Sequence, residues 1–166
     1  MGALVIEAWS DESTFTVWRD AHYTPRADGG PLTAADFTYP PEGAWPNPQG
    51  MIDAMHADNV HLLLWQIPLI KMRPHPVGQT RADADAAIRE GRLIREVSAD
   101  GTVRPYRNRG WWFPLSLMPD LTDAHAAAWW TAKRRYLVEE MGVDGFKTDG
   151  GEHAWGSDLL YLDGRS

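Results

Sequence analysis

Short unbroken apolar runs alternate along the chain with stretches in which apolar residues recur every three or four positions, the pattern of buried strands interleaved with amphipathic helices. Ala3-Leu4-Val5-Ile6 is the first run, expected to be a strand buried on both faces, and it ends in Glu7-Ala8-Trp9. From Ser10 to Pro46 the chain reads as a long loop, with a turn at Asp28-Gly29-Gly30-Pro31 and anchors at Phe37, Tyr39 and Trp45. Asn47-Pro48 then supplies a cap and a first-turn proline for a helix carrying Met51, Ile52 and Met55. Val60 to Trp65 is the second buried strand, and Pro68 is tolerated because the strand is ending. Arg81 to Glu90 predicts a short helix closed by Gly91, and Leu93–Val97 with Thr102–Tyr106 flank the hairpin signal Asp100-Gly101. Thr122 or Asp123 caps the next helix, read as continuous through Ala126, Trp130, Leu137 and Met141 to Gly142. Val143 to Asp149 is the third strand, and Glu152 to Ser166 reads as the start of a further loop.

The order is therefore β-α-β-(insert)-α-β, an α/β chain with right-handed crossovers, in which 71–110 is an insert within one incomplete unit spanning 1–166. Polar residues gather after each strand: Glu7, then Gln66, then Asp149 and Glu152. In open sheets and barrels alike that edge is where sites are built. A complete eight-fold barrel needs about 250 residues, so three strands make only part of one.

A formal charge of −7 argues against nucleic acid as a partner. No apolar run approaches the roughly 18 residues of a bilayer span, so no membrane contact is expected. Zero Cys rules out disulfides and Cys-ligated zinc. Met1-Gly2 runs straight into a strand, leaving no visible signal peptide and favouring the cytoplasm. The six His residues show no ligand spacing, and no phosphate loop, dinucleotide fingerprint or serine elbow is present, so neither a metal nor a cofactor is expected. Nine Trp, five Tyr and four Phe are enough for a core, a platform for a flat ligand, or both.

The sharpest chemistry lies in Gly145-Phe146-Lys147-Thr148-Asp149-Gly150-Gly151-Glu152. Strand alternation puts Lys147 and Asp149 on one side, where the ammonium would keep the carboxylate ionised for nucleophilic attack. The same two groups would serve equally well as a structural ion pair at a sheet edge. Trp65 fits a sugar-stacking platform or simple core packing, and Glu7 fits a hydroxyl acceptor or an ion-pair partner. Arg104, Arg107 and Arg109 read as a solvated face of the insert, and Trp111-Trp112-Phe113 and Trp129-Trp130 as anchors to the core.

The Gly145–Glu152 run resembles glycoside hydrolase family 31, the α-glucosidase and α-xylosidase family, whose α-xylosidase-like members carry a similar F-K-T-D-x-G-E. The likeness extends over Phe37-x-Tyr39, Pro46-Asn47-Pro48-Gln49-Gly50-Met51, Leu63-Leu64-Trp65-Gln66-Ile67-Pro68 and Pro119-Asp120-Leu121-Thr122 ahead of Trp129-Trp130, in the family's order. It implies a partial (β/α)8 TIM barrel, roughly strands two to four, with an inserted helix-hairpin subdomain. It further implies that Asp149 is the nucleophile of a retaining mechanism, that Lys147 and Trp65 line the same sugar subsite, and that Glu152 stands just behind the nucleophile. Glu7 falls where many members have an Asp that holds sugar hydroxyls, and its extra methylene moves the carboxylate deeper into the pocket. The general acid/base of the family comes from a later strand beyond Ser166, and Asp158 and Asp163 are not assigned to that role.

The expected function is thus that of a glycoside hydrolase fragment acting on terminal α-glucosides or α-xylosides, inactive alone. An oligosaccharide or glycoside is the expected partner, with self-association through unpaired strand edges. The alternative is a non-catalytic carbohydrate-binding or interaction module that keeps Trp65 and the aromatic loop.

Overall fold

Parallel pairing of the apolar runs sets the architecture. The computed structural model describes residues 2–166. Its elements are β1 (Gly2–Ile6), α1 (Pro48–Ala57), β2 (Val60–Gln66), α2 (Gly78–Arg89), β3 (Arg95–Val97), β4 (Val103–Pro105), α3 (Ala124–Ala132), α4 (Arg135–Glu139), β5 (Gly145–Thr148) and β6 (Leu159–Leu160). The chain divides into two compact units, one of Met1–Thr24, Pro31–Ile67 and Ala132–Asp149, the other of Pro25–Gly30, Pro68–Thr131 and Gly150–Ser166.

The first unit is built on a parallel sheet of order β1-β2-β5. Asn47 starts α1 as its sequence dictates, its side-chain oxygen accepting from the Gly50 N–H at 2.9 Å with Pro48 at the first position. Along β2, Leu62, Leu64 and Gln66 point inward and are buried, and the two leucines join Ile52, Tyr136, Leu137 and Val143 in the core. The long stretch after β1 contributes Trp9, Trp18 and Phe37 to the same core, and the Tyr136 hydroxyl donates to the Thr16 carbonyl at 2.6 Å. It is loop in secondary structure but core in packing.

β1 departs from the expectation of a strand buried on both faces. Leu4 and Val5 are 44% and 37% exposed, because among the described residues β1 pairs only with β2 and forms a sheet edge.

The second unit holds the β3/β4 hairpin, turned at Gly101 (φ +81°), where a left-handed backbone suits glycine. β6 adds antiparallel to β3, so the stretch from Glu152 to Ser166, expected to be loop, contains a short strand. Ile70, Ala84, Ala87, Leu93, Leu117, Trp129 and Trp130 form its core. The arginines of the hairpin are not simply a solvated face. Arg104 Nε and Arg109 Nη2 donate at 2.6 and 2.8 Å to Glu96, which is buried. Burial alone would raise the Glu96 carboxyl, but the two guanidinium groups outweigh it and hold it below its usual value.

The helix expected to run unbroken to Met141 ends instead at Ala132 and restarts at Arg135. Lys133 and Arg134 fall in the break and are both buried, and the Arg134 guanidinium donates to the side-chain oxygen of Gln66. A buried cation needs such an acceptor, which a sequence pattern of apolar residues does not reveal.

Candidate active site

Strand register assembles one row of chemically capable side chains. Ile6 lies opposite Leu64 and Trp65 opposite Lys147, so Glu7, next after Ile6, extends the row formed by Trp65 and Lys147. Because residues alternate faces, these three share one side, while Gln66 and Thr148 share the other and hydrogen-bond at 2.8 Å. Asp149 continues the ladder just past β5, its N–H donating to the Gln66 carbonyl at 2.9 Å.

Lys147 Nζ donates to Glu7 Oε1 at 2.8 Å and lies 4.0 Å from Asp149 Oδ2. The same Oδ2 accepts from the Trp65 indole N–H at 3.1 Å. The hydrogen bond to Glu7 raises the Lys147 ammonium above its ordinary value, with burial opposing it and the charges of Glu7 and Asp149 adding to the rise. Trp65 is held by Phe15, edge-on at a centroid distance of 5.3 Å, and by the Trp9 indole N–H, which donates to the Trp65 carbonyl at 2.8 Å. Phe15 is itself buried with a left-handed backbone (φ +52°). The side chains of Lys147 and Asp149 remain 45% and 44% exposed, so the fixed indole and ammonium present the carboxylate at an open edge.

Four of the five candidates read from the sequence, Glu7, Trp65, Lys147 and Asp149, therefore meet in the first unit. Glu152 belongs to the second unit, exposed on the single turn Gly151–His153. Phe15 and Trp9, which orient Trp65, escaped the sequence reading. The surplus of tryptophan was their only trace.

Two clefts lie elsewhere. One of about 470 Å³ in the second unit is lined by Glu96, Arg104, Pro105, Arg107, Asn108, Arg109 and Leu115. The other, of about 240 Å³, opens at the N-terminal end of the parallel sheet around His56, Asn59, Val60, His61 and Asp144. No group of three or more His, Cys, Asp or Glu suited to a metal gathers among the described residues. No helix among them is long and apolar enough to cross a membrane.

A carboxylate, an ammonium and an indole thus stand together at the C-terminal tips of parallel strands, the edge at which barrels build their sites. Residues 13–159 match the family described as glycosyl hydrolases family 31 TIM-barrel domain, and the chain belongs to that family as part of its mixed α/β barrel domain. It is 59% identical over 165 residues to a 1,3-alpha-isomaltosidase of Kribbella flavida, covering 99% of this chain and 22% of that protein. It is 40% identical over 164 residues to an isomaltosyltransferase of Sporosarcina globispora, covering 98% of this chain and 15% of that one. A cycloalternan-degrading enzyme from Trueperella pyogenes, solved in complex with a covalent intermediate, superposes with a TM-score of 0.91 at 55% identity, over 98% of this chain and 22% of that one. The chain thus spans about a fifth of the length of these relatives, or less.

Proposed function

We propose that these residues form part of the catalytic barrel, roughly strands two to four with an insert at 71–110, of a retaining α-glycosidase that cleaves α-glucosidic bonds in isomaltosyl-type oligosaccharides. The observation that carries this reading is Asp149 at a strand tip, with its Oδ2 on the Trp65 indole and facing Lys147. The names of the isomaltosidase and isomaltosyltransferase relatives favour a glucosyl over a xylosyl substrate.

In this mechanism an Asp149 oxygen attacks the anomeric carbon while the glycosidic C–O bond breaks, giving a covalent glycosyl-enzyme. A second carboxyl group, about 5 Å away and supplied by protein outside these residues, protonates the leaving oxygen. The same group then takes a proton from water as the ester bond to Asp149 is replaced, so that the anomeric configuration is retained overall. Asp158 and Asp163 are poor candidates for that acid, since Arg109 holds the first at 2.6 Å and Arg165 Nε the second at 2.6 Å. Lys147 and Glu7 would hold sugar hydroxyls, and Glu152 would stand behind the nucleophile. Expressed alone, the 166 residues would self-associate through the β1 edge, where Leu4 and Val5 are exposed.

Proton NMR of the first sugar released from an isomaltosyl oligosaccharide by the full-length enzyme tests the reading. Initial release of the α anomer is expected. Initial release of the β anomer, or no cleavage at all, contradicts it and, in the latter case, favours a carbohydrate-binding module.

A further inference from the structure

In the first unit, residues 9–19 form a lobe that closes on itself. The Asp11 N–H donates to the Val17 carbonyl at 3.0 Å and the Arg19 N–H to the Trp9 carbonyl at 2.9 Å, around an antiparallel bridge between Ser10 and Trp18. Tyr136 of α4 anchors the lobe through the Thr16 carbonyl. Two of its side chains reach Trp65. Phe15 meets the indole edge-on, and the Trp9 indole holds the Trp65 carbonyl.

The tip of the lobe carries backbone that a side chain resists. Phe15 has φ +52° and Glu12 φ +54°, in the left-handed region where a Cβ crowds the main chain and a bulky residue is a true outlier. Such a conformation persists where its surroundings impose it, and it is stored at functional sites. Here Asp11 imposes it. Its Oδ1 accepts the Ser13 N–H at 3.0 Å, the Thr14 N–H at 2.9 Å and the Thr14 hydroxyl at 3.0 Å. That hydroxyl in turn accepts the Thr16 N–H at 3.0 Å, so the turn is fixed on both sides of Phe15. An apolar ring can be buried from ordinary extended backbone without this cost. The strained turn instead delivers the Phe15 ring, 1% exposed, to the Trp65 indole at an interplanar angle of 72°.

We propose that Phe15 is a positioning residue: from its strained turn it fixes the plane of the Trp65 indole, and through the indole N–H it sets the aim of the Asp149 carboxylate. An indole has one N–H, which lies in the ring plane, so a ring that tilts carries its hydrogen bond away from Asp149 Oδ2. Phe15 holds that ring while Trp9 holds the backbone beneath it. Every residue in this series of contacts belongs to the first unit. The inference rests on Asp149 being the nucleophile.

The test is steady-state kinetics on the full-length enzyme with an isomaltosyl oligosaccharide, comparing Phe15→Leu, Trp65→Phe and their double variant with the parent and with Asp149→Asn. Phe15→Leu keeps an apolar side chain but withdraws the ring edge. It is expected to lower kcat by about 10-fold, within the roughly 10²-fold scale of a misplacement near 1 Å, while KM stays within about twofold. In the Trp65→Phe background the same change is expected to lower kcat by no more than about twofold, because the hydrogen bond it serves is already gone. If Phe15→Leu does not fold, Phe15→Met decides the matter by the same cycle. A parent-like kcat in the folded Phe15 variant, or an equal loss with and without the Trp65 indole, beside an inactive Asp149→Asn, overturns the positioning role alone. Turnover retained in Asp149→Asn overturns the nucleophile reading instead.

Discussion

Two aspartates flank β5, one at each end, and their surroundings are opposite. Asp144, at the N-terminal end, accepts the Leu62 N–H at 2.7 Å and lies 2.7 and 2.9 Å from the ring nitrogens of His61 and His56. Burial works to raise its carboxyl, but these hydrogen bonds outweigh burial and hold it well below the usual range. Asp149, at the C-terminal end, meets a longer indole contact at 3.1 Å and an ammonium at 4.0 Å, with its side chain 44% exposed against 25% for Asp144. A carboxylate enclosed by short hydrogen bonds ties strands and helix together. One that faces an open edge, with an indole contact, stays within reach of solvent. The contrast follows the general division of labour between the two faces of a barrel.

The largest expected effect separates these two residues by function. Asp149→Asn in the full-length enzyme should lower turnover on the order of 10⁴-fold or more, the scale of removing a nucleophile, with an unchanged unfolding midpoint. Asp144→Asn should leave kcat and KM as in the parent. Equal losses in both variants would dissolve the distinction.

A smaller effect tests the indole. Trp65→Phe keeps a ring against Phe15 but removes the hydrogen bond to the carboxylate, worth about 1.5–3 kcal/mol for a charged acceptor, or roughly 10- to 100-fold in kcat. An unchanged kcat would reduce Trp65 to packing.

Asp144→Asn should instead destabilise the fold by about 0.5–1.5 kcal/mol, read by urea unfolding, because the part-buried Leu62 N–H and the exposed rings of His56 and His61 lose a charged partner. The smallest effect is its pH dependence. The folded-state value of Asp144 is depressed, so its contribution is complete above the unfolded value near 4 and is lost as pH falls below that. The stability difference between parent and Asp144→Asn should therefore shrink as pH drops from about 5 towards 3. A difference that stays constant over that window would show that the Asp144 charge does not carry it.

Much of this was legible in the sequence because it depends on local rules. The apolar runs became β1, β2 and β5, Asn47-Pro48 capped α1, and Asp100-Gly101 turned the hairpin. Strand alternation alone put Lys147 and Asp149 on one side, and the structure brings them within 4.0 Å. What escaped depends on distant partners. The break at Lys133-Arg134 follows a buried cation's need for Gln66, and β6 is two residues long, too short to show a period. The exposure of β1 reflects which strands stand beside it, and the grip of Phe15 and Trp9 on Trp65 joins a loop to a strand far along the chain. The family resemblance connected these local signals to one chemistry, and the match over residues 13–159 agrees with it.

The most direct measurement is to trap the full-length enzyme with a mechanism-based fluoroglucoside and map the labelled peptide by mass spectrometry. The expected result is one sugar per active site, esterified to Asp149. A label on another carboxylate, Glu152 or Asp158 included, or inactivation without any covalent adduct, would contradict the assignment of Asp149 as the nucleophile.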